Sequence, residues 1–272
     1  MVRTIIRPPG RLNLPAWREL WDAREVFYRF GVRDIVLRYR QTVVGLAWVI
    51  LQPLIAAGVF SIVFGLVANL PTNGIPYFVF SFAGMLAWNA FNGIVTRSSG
   101  SLVANQSLVS RVFFPRMLVP LSSIISVLLD FAVAFAMFVV LLIVFRINPG
   151  WPVLLTPVWL LLTVLLASGV GIAASALTVK YRDIAYVLPW LLQILLYATP
   201  IAYSISAVPV GLTWLFELNP LTWLMEVFRW SLLGQDLAEP WQVVALIVTS
   251  LAVFGGGVLV FQKMERGFAD VI

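Results

Sequence analysis

The sequence predicts an all-α integral membrane protein with six transmembrane helices. Three observations predict it: an apolar composition, six apolar runs of spanning length, and basic residues that gather on one side of those runs. Of 272 residues, 61% are hydrophobic and 11% charged, against roughly 45–50% and about 25% in soluble domains. The mean hydropathy is +0.97. Such a chain lacks the polar surface of a soluble globule. A soluble enzyme, a disordered chain and a DNA-binding module are excluded, and lipid is left as the solvent.

The elements follow from length. A span needs roughly 20 mostly apolar residues to cross about 30 Å of hydrocarbon. The runs 44–69, 76–96, 119–145, 153–179, 184–203 and 241–262 qualify. In lipid they must be helices, because each backbone N–H and C=O needs a partner inside the segment. The period-2 alternation of a barrel is absent. The chain thus divides into a segment 1–43, a six-span domain 44–262 and a tail 263–272. The first 15 residues hold Arg3, Arg7 and Arg11 among prolines, and no apolar core of a cleavable signal follows before residue 43.

Sidedness follows from charge. Nine arginines precede residue 44; Arg97, Arg111, Arg116, Lys180, Arg182, Lys263 and Arg266 fall on the same side, leaving Arg146 and Arg229 opposite. The positive-inside rule then predicts a multi-pass protein of the cytoplasmic (inner) membrane with both termini cytoplasmic. The same segregation explains a pI of about 10.1 without nucleic acid.

Residues 16–30 predict an interfacial helix. Trp17, Leu20, Trp21 and Tyr28 share a face with Arg24 intruding, while Arg18, Asp22, Glu25 and Arg29 lie opposite. A solvated helix packed on a partner is the other reading. Gly31 is expected to permit a bend before the first span. Residues 206–240 are too apolar for an exposed loop and too broken, by Pro209 and Pro220, for a span. They predict one or two short helices dipping into the outer leaflet.

Chemistry is sparse. The chain has no histidine and no cysteine, which removes the commonest general base and the commonest metal ligands. No Gly-Lys pair exists, so the phosphate-binding loop of nucleotide hydrolases is missing and any ATP must be used by a partner. Asp130 is the one carboxylate deep in a span. It should be paired, protonated or facing an aqueous cavity; Arg97 could reach it if Asp130 lies low. A membrane-embedded enzyme would have to use Asp130, Asp183, Glu217, Glu226 or Asp236, and no spacing forces a pair of them together.

The loop after the second span, 98–120, has a polar start, a short helix-competent core and a Pro115 stop. Its apolar residues, flanked by Arg111 and Arg116, suit docking into a groove of a soluble partner. An interfacial helix touching only lipid is the alternative.

The run Arg33-Asp34, Arg38-Tyr39-Arg40-Gln41-Thr42, Gly45, Trp48, Gln52-Pro53 resembles the start of the first span in ABC-2 type permeases, the membrane subunits of ATP-binding-cassette exporters. The likeness is strongest to the branch that exports O-antigen, capsular and teichoic-acid polymers. Ser107-Leu108 with Phe113-Phe114-Pro115-Arg116, then Asp130-Phe131, continue it. So do Tyr181-Arg182-Asp183, Thr199-Pro200, Asn219-Pro220, Arg229, Glu265 and Phe268-Ala269-Asp270. It covers about residues 17–270, and the order and spacing of the motifs carry it.

The resemblance implies a half-transporter without its own catalysis: a homodimer of permeases over two cytoplasmic ATPases. This chain would bind no cofactor, and ATP and Mg would be used by the partner. Ser107, Leu108, Arg111, Phe113, Phe114 and Arg116 would form the ATPase-coupling helix. Trp17, Trp21, Arg24 and Tyr28 would mark the interface helix. The short outer helices would be the gate, with Pro53, Pro200, Asn219, Pro220 and Arg229 as gate and hinge residues. The implied cargo is a lipid-linked, O-antigen-like polysaccharide; teichoic acid, a glycolipid or a small hydrophobic compound is the alternative.

The residues add physical expectations. Pro53 cannot donate to the carbonyl of Val49, so the first span should kink there, with Gln52 facing protein or a pore. Pro189 and Pro200 should kink the fifth. Trp48, Phe82, Trp88, Phe91, Trp190 and Tyr197 lie mid-span, where rings stack on a chain without gripping any one unit, so they and Gln52 are the expected substrate conduit. Ordinary core or lipid-facing packing is the competing reading.

Overall fold

The computed structural model describes residues 21–39, 47–72, 74–110, 114–235, 237, 239–265 and 267–268. Among these, all regular structure is helical. The main elements are α1 (Arg24–Tyr39), α2 (Ala47–Phe60), α3 (Tyr77–Ala104), α4 (Gln106–Val109) and α5 (Leu118–Val144). After them come α6 (Thr156–Lys180), α7 (Ile184–Ala198), α8 (Thr213–Glu217), α9 (Pro220–Leu233) and α10 (Pro240–Glu265).

Five helical segments among the described residues are long and apolar enough to cross a membrane: Ala47–Val67, Tyr77–Ala104, Leu118–Val144, Trp151–Lys180 and Pro240–Glu265. The chain is an all-α, multi-pass membrane protein. In place of the run 184–203 stands α7, with 15 residues. At 1.5 Å per residue it reaches about 22 Å, short of the roughly 30 Å hydrocarbon core. Thr199 follows in extended conformation, as a residue before proline prefers. Pro200 therefore ends the helix instead of kinking it, whereas Pro189 lies inside α7. In the first span α2 continues through Pro53, and α geometry gives way only over Ser61–Val67, a π-helical stretch. Pro53 itself is buried.

The second predicted run extends eight residues further than its hydropathy suggests, to Ala104. Its serines are the reason. Ser99 Oγ donates to Thr96 O and Ser101 Oγ to Ser98 O, within the helix. Ser98 Oγ donates to Pro120 O on α5 and pairs with Ser123 Oγ, both at 2.8 Å. A polar sequence here is a buried helix seam and not a loop.

Helix α3 is the hub, buried on most faces, while α2 and α10 turn most of their apolar surface outward. Small residues let the backbones close on one another. A Cβ on Gly257 of α10 would lie 2.1 Å from the Gly169 carbonyl oxygen of α6. Gly31 corrects its expected role: α1 runs unbroken through it, and a Cβ there would lie 2.4 Å from Ile125 Cδ1 of α5. It is a contact point between helices, not a bend.

Candidate functional site

At the end carrying most basic residues, a second hydrophobic cluster ties distant segments together. Phe30 of α1, Leu102 of α3, Val109 of α4, Val119 of α5, Ile172 of α6 and Phe261 of α10 are all buried in it, with Phe268 beyond. The four-residue α4 is thereby anchored by Val109, which is 3% exposed, while Ser107 and Leu108 face outward. Phe114 lies on Phe30 at 5.7 Å between ring centroids. Arg116 donates to Glu265 O at 3.5 Å. Arg33 of α1 donates to the Asn105 side chain at 2.6 Å, which pins α1 to the α3–α4 junction. Trp21, Arg24 and Tyr28 are exposed. Trp17, Arg111 and Phe113 lie outside the described residues. Among the described residues, the stretch that the sequence reads as the loop 98–120 divides into the end of α3, the short α4 and the start of α5.

Higher in the same half lies a charge cluster. Asp130 of α5 receives Arg38 Nη1 at 2.7 Å and Arg97 on its Oδ2, and the Tyr39 hydroxyl on its Oδ1. Arg97 also donates to Ser126 at 2.7 Å. One carboxylate therefore fastens α1, α3 and α5. Burial, and then the bond to Asp130, push the Tyr39 hydroxyl up to about 12, so it stays a donor at neutral pH. The Arg97 pairing answers the question the sequence posed about Asp130. Arg38 was visible there only as part of a motif; the signal that points to it is a lone carboxylate needing a counter-ion.

At the opposite end Pro200, Asn219, Pro220 and Arg229 converge. Asn219 caps α9, accepting from Leu221 N at 3.0 Å, with Pro220 at the first helical position; each residue type suits its place. The Asn219 amide also donates to Thr199 Oγ1 at 3.1 Å. Arg229, 4% exposed, donates to the carbonyls of Pro200 at 2.6 Å and Ile201 at 2.9 Å. Its guanidinium lies 4.1 Å from the Phe80 ring centroid. A Cβ on Gly84 would lie 2.1 Å from Ile201 O, so the glycine admits this loop against α3. Four of the five residues that the resemblance marks as gate and hinge thus come together in one clamp, while Pro53 lies apart in α2. Of the other carboxylates, Glu217 and Asp183 are exposed, Glu226 is half-buried, and Asp236 lies outside the described residues.

The aromatic residues divide. Phe82, Trp88 and Phe91 belong to the buried core of α3, with Phe82 stacked on Phe138 of α5. Trp48, Trp190 and Tyr197 are exposed, at 53%, 61% and 62%. Gln52 is exposed and borders the charge cluster.

The sequence pattern of the family described as ABC-2 type transporter matches residues 25–233. An O-antigen export system permease protein RfbA of Klebsiella pneumoniae is 26% identical over 245 residues, covering 88% of this chain and 92% of its own length. A namesake from Myxococcus xanthus is 25% identical over 257 residues, covering 94% and 98%. The polysialic acid transport protein KpsM of Escherichia coli is 26% identical over 244 residues, covering 86% and 92%. With the family pattern spanning α1 through α9, this chain belongs to the ABC-2 type transporter family of membrane proteins.

Proposed function

We propose that the chain is the permease subunit of an ABC exporter that carries a lipid-linked, O-antigen-like polysaccharide outward across the cytoplasmic membrane. ATP is hydrolysed by two separate cytoplasmic subunits, and two copies of the permease form the pathway. The observation that carries this reading is the similarity, along nearly the whole chain, to permeases named for O-antigen and polysialic acid export. The basic end is then cytoplasmic, and α7 with the loop after it completes a sixth crossing.

The geometry supports the division of labour. Ser107 and Leu108 stand out from a rigidly anchored foot, as a surface pushed by a motor must. A push there reaches α1 through the Phe30–Phe114 and Arg33–Asn105 contacts, and reaches α5 and α3 through Asp130. The exposed apolar flanks of α2 (Leu51, Ile55, Val59) and α7 (Tyr186, Trp190, Ile194) fit a second copy. Trp48, Gln52, Trp190 and Tyr197 would then line a passage between the copies, with Phe82, Trp88 and Phe91 setting its shape from behind. The Arg229 clamp ties α9 to the loop after α7, at the end where α8 and α9 would gate it.

One observation favours the alternative cargo, a small hydrophobic compound or glycolipid. An apolar pocket of about 780 Å³ opens between α5 and the start of α6, lined by Phe135, Val139, Leu142, Val153 and Leu160 among others. The deciding experiment removes the chain from its host. Surface polysaccharide should vanish, lipid-linked polymer should accumulate inside, and the tagged chain should co-purify with an ATPase. Undiminished surface polymer overturns the cargo; a chain that transports when purified alone overturns the need for a motor.

A further inference from the structure

Between α1, α2, α3 and α5 the charge cluster borders a cavity of about 160 Å³, several times the roughly 30 Å³ share of a liquid water. Arg38, Arg97, Gln52, Asn89 and Asn92 line it together with Asp130. Both oxygens of Asp130 are engaged, Oδ2 by two guanidinium groups and Oδ1 by Tyr39. The guanidinium groups are not spent in return. Each offers five N–H donors. Among the described residues, the bonds formed are one from Arg38, to Asp130, and two from Arg97, to Asp130 and Ser126. Among the described residues, no nitrogen of either is buried without a partner, and their remaining donors open on the cavity or on solvent. Two positive charges face one negative charge, and the amides of Gln52, Asn89 and Asn92 add neutral donors.

A site with surplus donors and net positive charge at the flank of an apolar bundle selects an oxyanion, and planar guanidinium groups match phosphate oxygens in pairs. The depth says which kind. Arg38 is next to last in α1, and Val49, Gln52 and Pro53 come from the first two turns of α2. Both lie toward the basic end. An anion reaching this height while its carrier remains in lipid is a headgroup.

We propose that this cavity binds the phosphate or diphosphate group of a lipid, holding the anchor of a lipid-linked substrate at the inner-leaflet side of the permease. The proposal rests on the exporter reading above. Asp130 is its positioning residue: it aligns the two guanidinium groups and lowers the net charge so that the headgroup is released.

The test uses the full chain in phosphatidylcholine nanodiscs, titrated with inorganic pyrophosphate or with a prenyl diphosphate placed in the bilayer, binding being read by native mass spectrometry. The prenyl diphosphate should bind saturably, and Arg38→Gln or Arg97→Gln should each weaken it by about tenfold or more. Asp130→Asn should leave it as tight or tighter, which a merely structural ion pair does not predict. Should the arginine variants fail to fold, Asn89→Leu and Asn92→Leu, which break no ion pair, must weaken binding instead. Equal affinity for wild type and these variants overturns the proposal. Binding of pyrophosphate with no gain from the prenyl chain overturns the lipid assignment. Loss of export in Arg38→Gln with unchanged lipid binding also overturns it while leaving the exporter reading standing; a chain that exports no glycan yet binds prenyl diphosphate overturns only the exporter reading.

Discussion

Arg229 near one end of the bundle and the Arg38–Arg97 pair near the other both place guanidinium groups among apolar helices, and the two places satisfy them in opposite ways. Arg229 is enclosed. It spends its charge on two backbone carbonyls and one aromatic face, in a pocket that Gly84 leaves open. Its counter-dipoles belong to a loop that Asn219 at Thr199 and the Tyr77 hydroxyl at Ala202 O also fasten, with hydrogen bonds from neutral donors. Arg38 and Arg97 share one carboxylate beside a cavity. A closed cation holds backbone in place; an open one keeps donors for something else. The comparison predicts unequal responses to substitution.

The largest effect belongs to Arg229. Arg229→Met keeps the volume and removes the donors, leaving the Pro200 and Ile201 carbonyls buried without partners, at about 1–3 kcal/mol each. The thermal midpoint of the purified chain in micelles should fall by many degrees and folded yield with it. An unchanged midpoint would mean the loop is held by something other than this clamp. Gly84→Ala attacks the same loop from the other side. Its Cβ falls 2.1 Å from Ile201 O, and relieving such overlap costs about 1–3 kcal/mol. Gly255→Ala is the matched control, since nothing lies within 4 Å of the added carbon. There the better helix propensity of alanine should raise stability slightly, by about 0.5–1 kcal/mol.

Asp130→Asn should be milder than Arg229→Met. Two guanidinium groups lose their counter-charge, but the cavity lets water take its place, and the loss is about 1–2 kcal/mol. Measured side by side under the same detergent, a larger loss for Asp130→Asn than for Arg229→Met would reverse the comparison: the cluster toward the basic end would be the rivet and the one at the opposite end the adaptable site.

Much of this was legible in the chain itself. Hydropathy located the five spanning-length segments, because lipid exposure demands long apolar runs. Charge segregation marked the basic end. Pro200, Asn219, Pro220 and Arg229 stood out as gate and hinge residues only through the family resemblance; that Asn219 caps α9, that Pro200 stops α7 and that Arg229 bonds to the loop between them needed the structure. What escaped was what depends on neighbours. The serines of 98–101 read as a loop, since hydropathy does not see that Ser98 bonds to α5. Gly31 read as a bend, since only the approach of Ile125 shows it as a contact. The fifth span read too long because Thr199, Ile201 and Ala202 are apolar enough to extend the run past the proline that ends the helix. The conduit aromatics could not be sorted into Trp48, Trp190 and Tyr197 outside and Phe82, Trp88 and Phe91 inside without knowing that α3 is the hub.

The smallest stability effect tests the foot, where neighbouring residues in α4 do different work. Val109 is buried in the cluster that joins α1, α3, α5, α6 and α10. Val109→Ala removes two methyl groups from it, at about 1.6 kcal/mol by the usual 0.8 per buried carbon. Leu108 is 38% exposed and outside that cluster. Leu108→Ala should change the unfolding midpoint by no more than a surface substitution does, about 0.5 kcal/mol. Its effect should appear only when the motor is attached, as a loss of ATP-driven export in vesicles at unchanged protein level. Val109→Ala should show the reverse order, losing stability first and export in proportion. Equal export by Leu108→Ala and the unaltered chain would move the motor's contact off α4, and the rigid anchoring of that short helix would then serve the bundle alone.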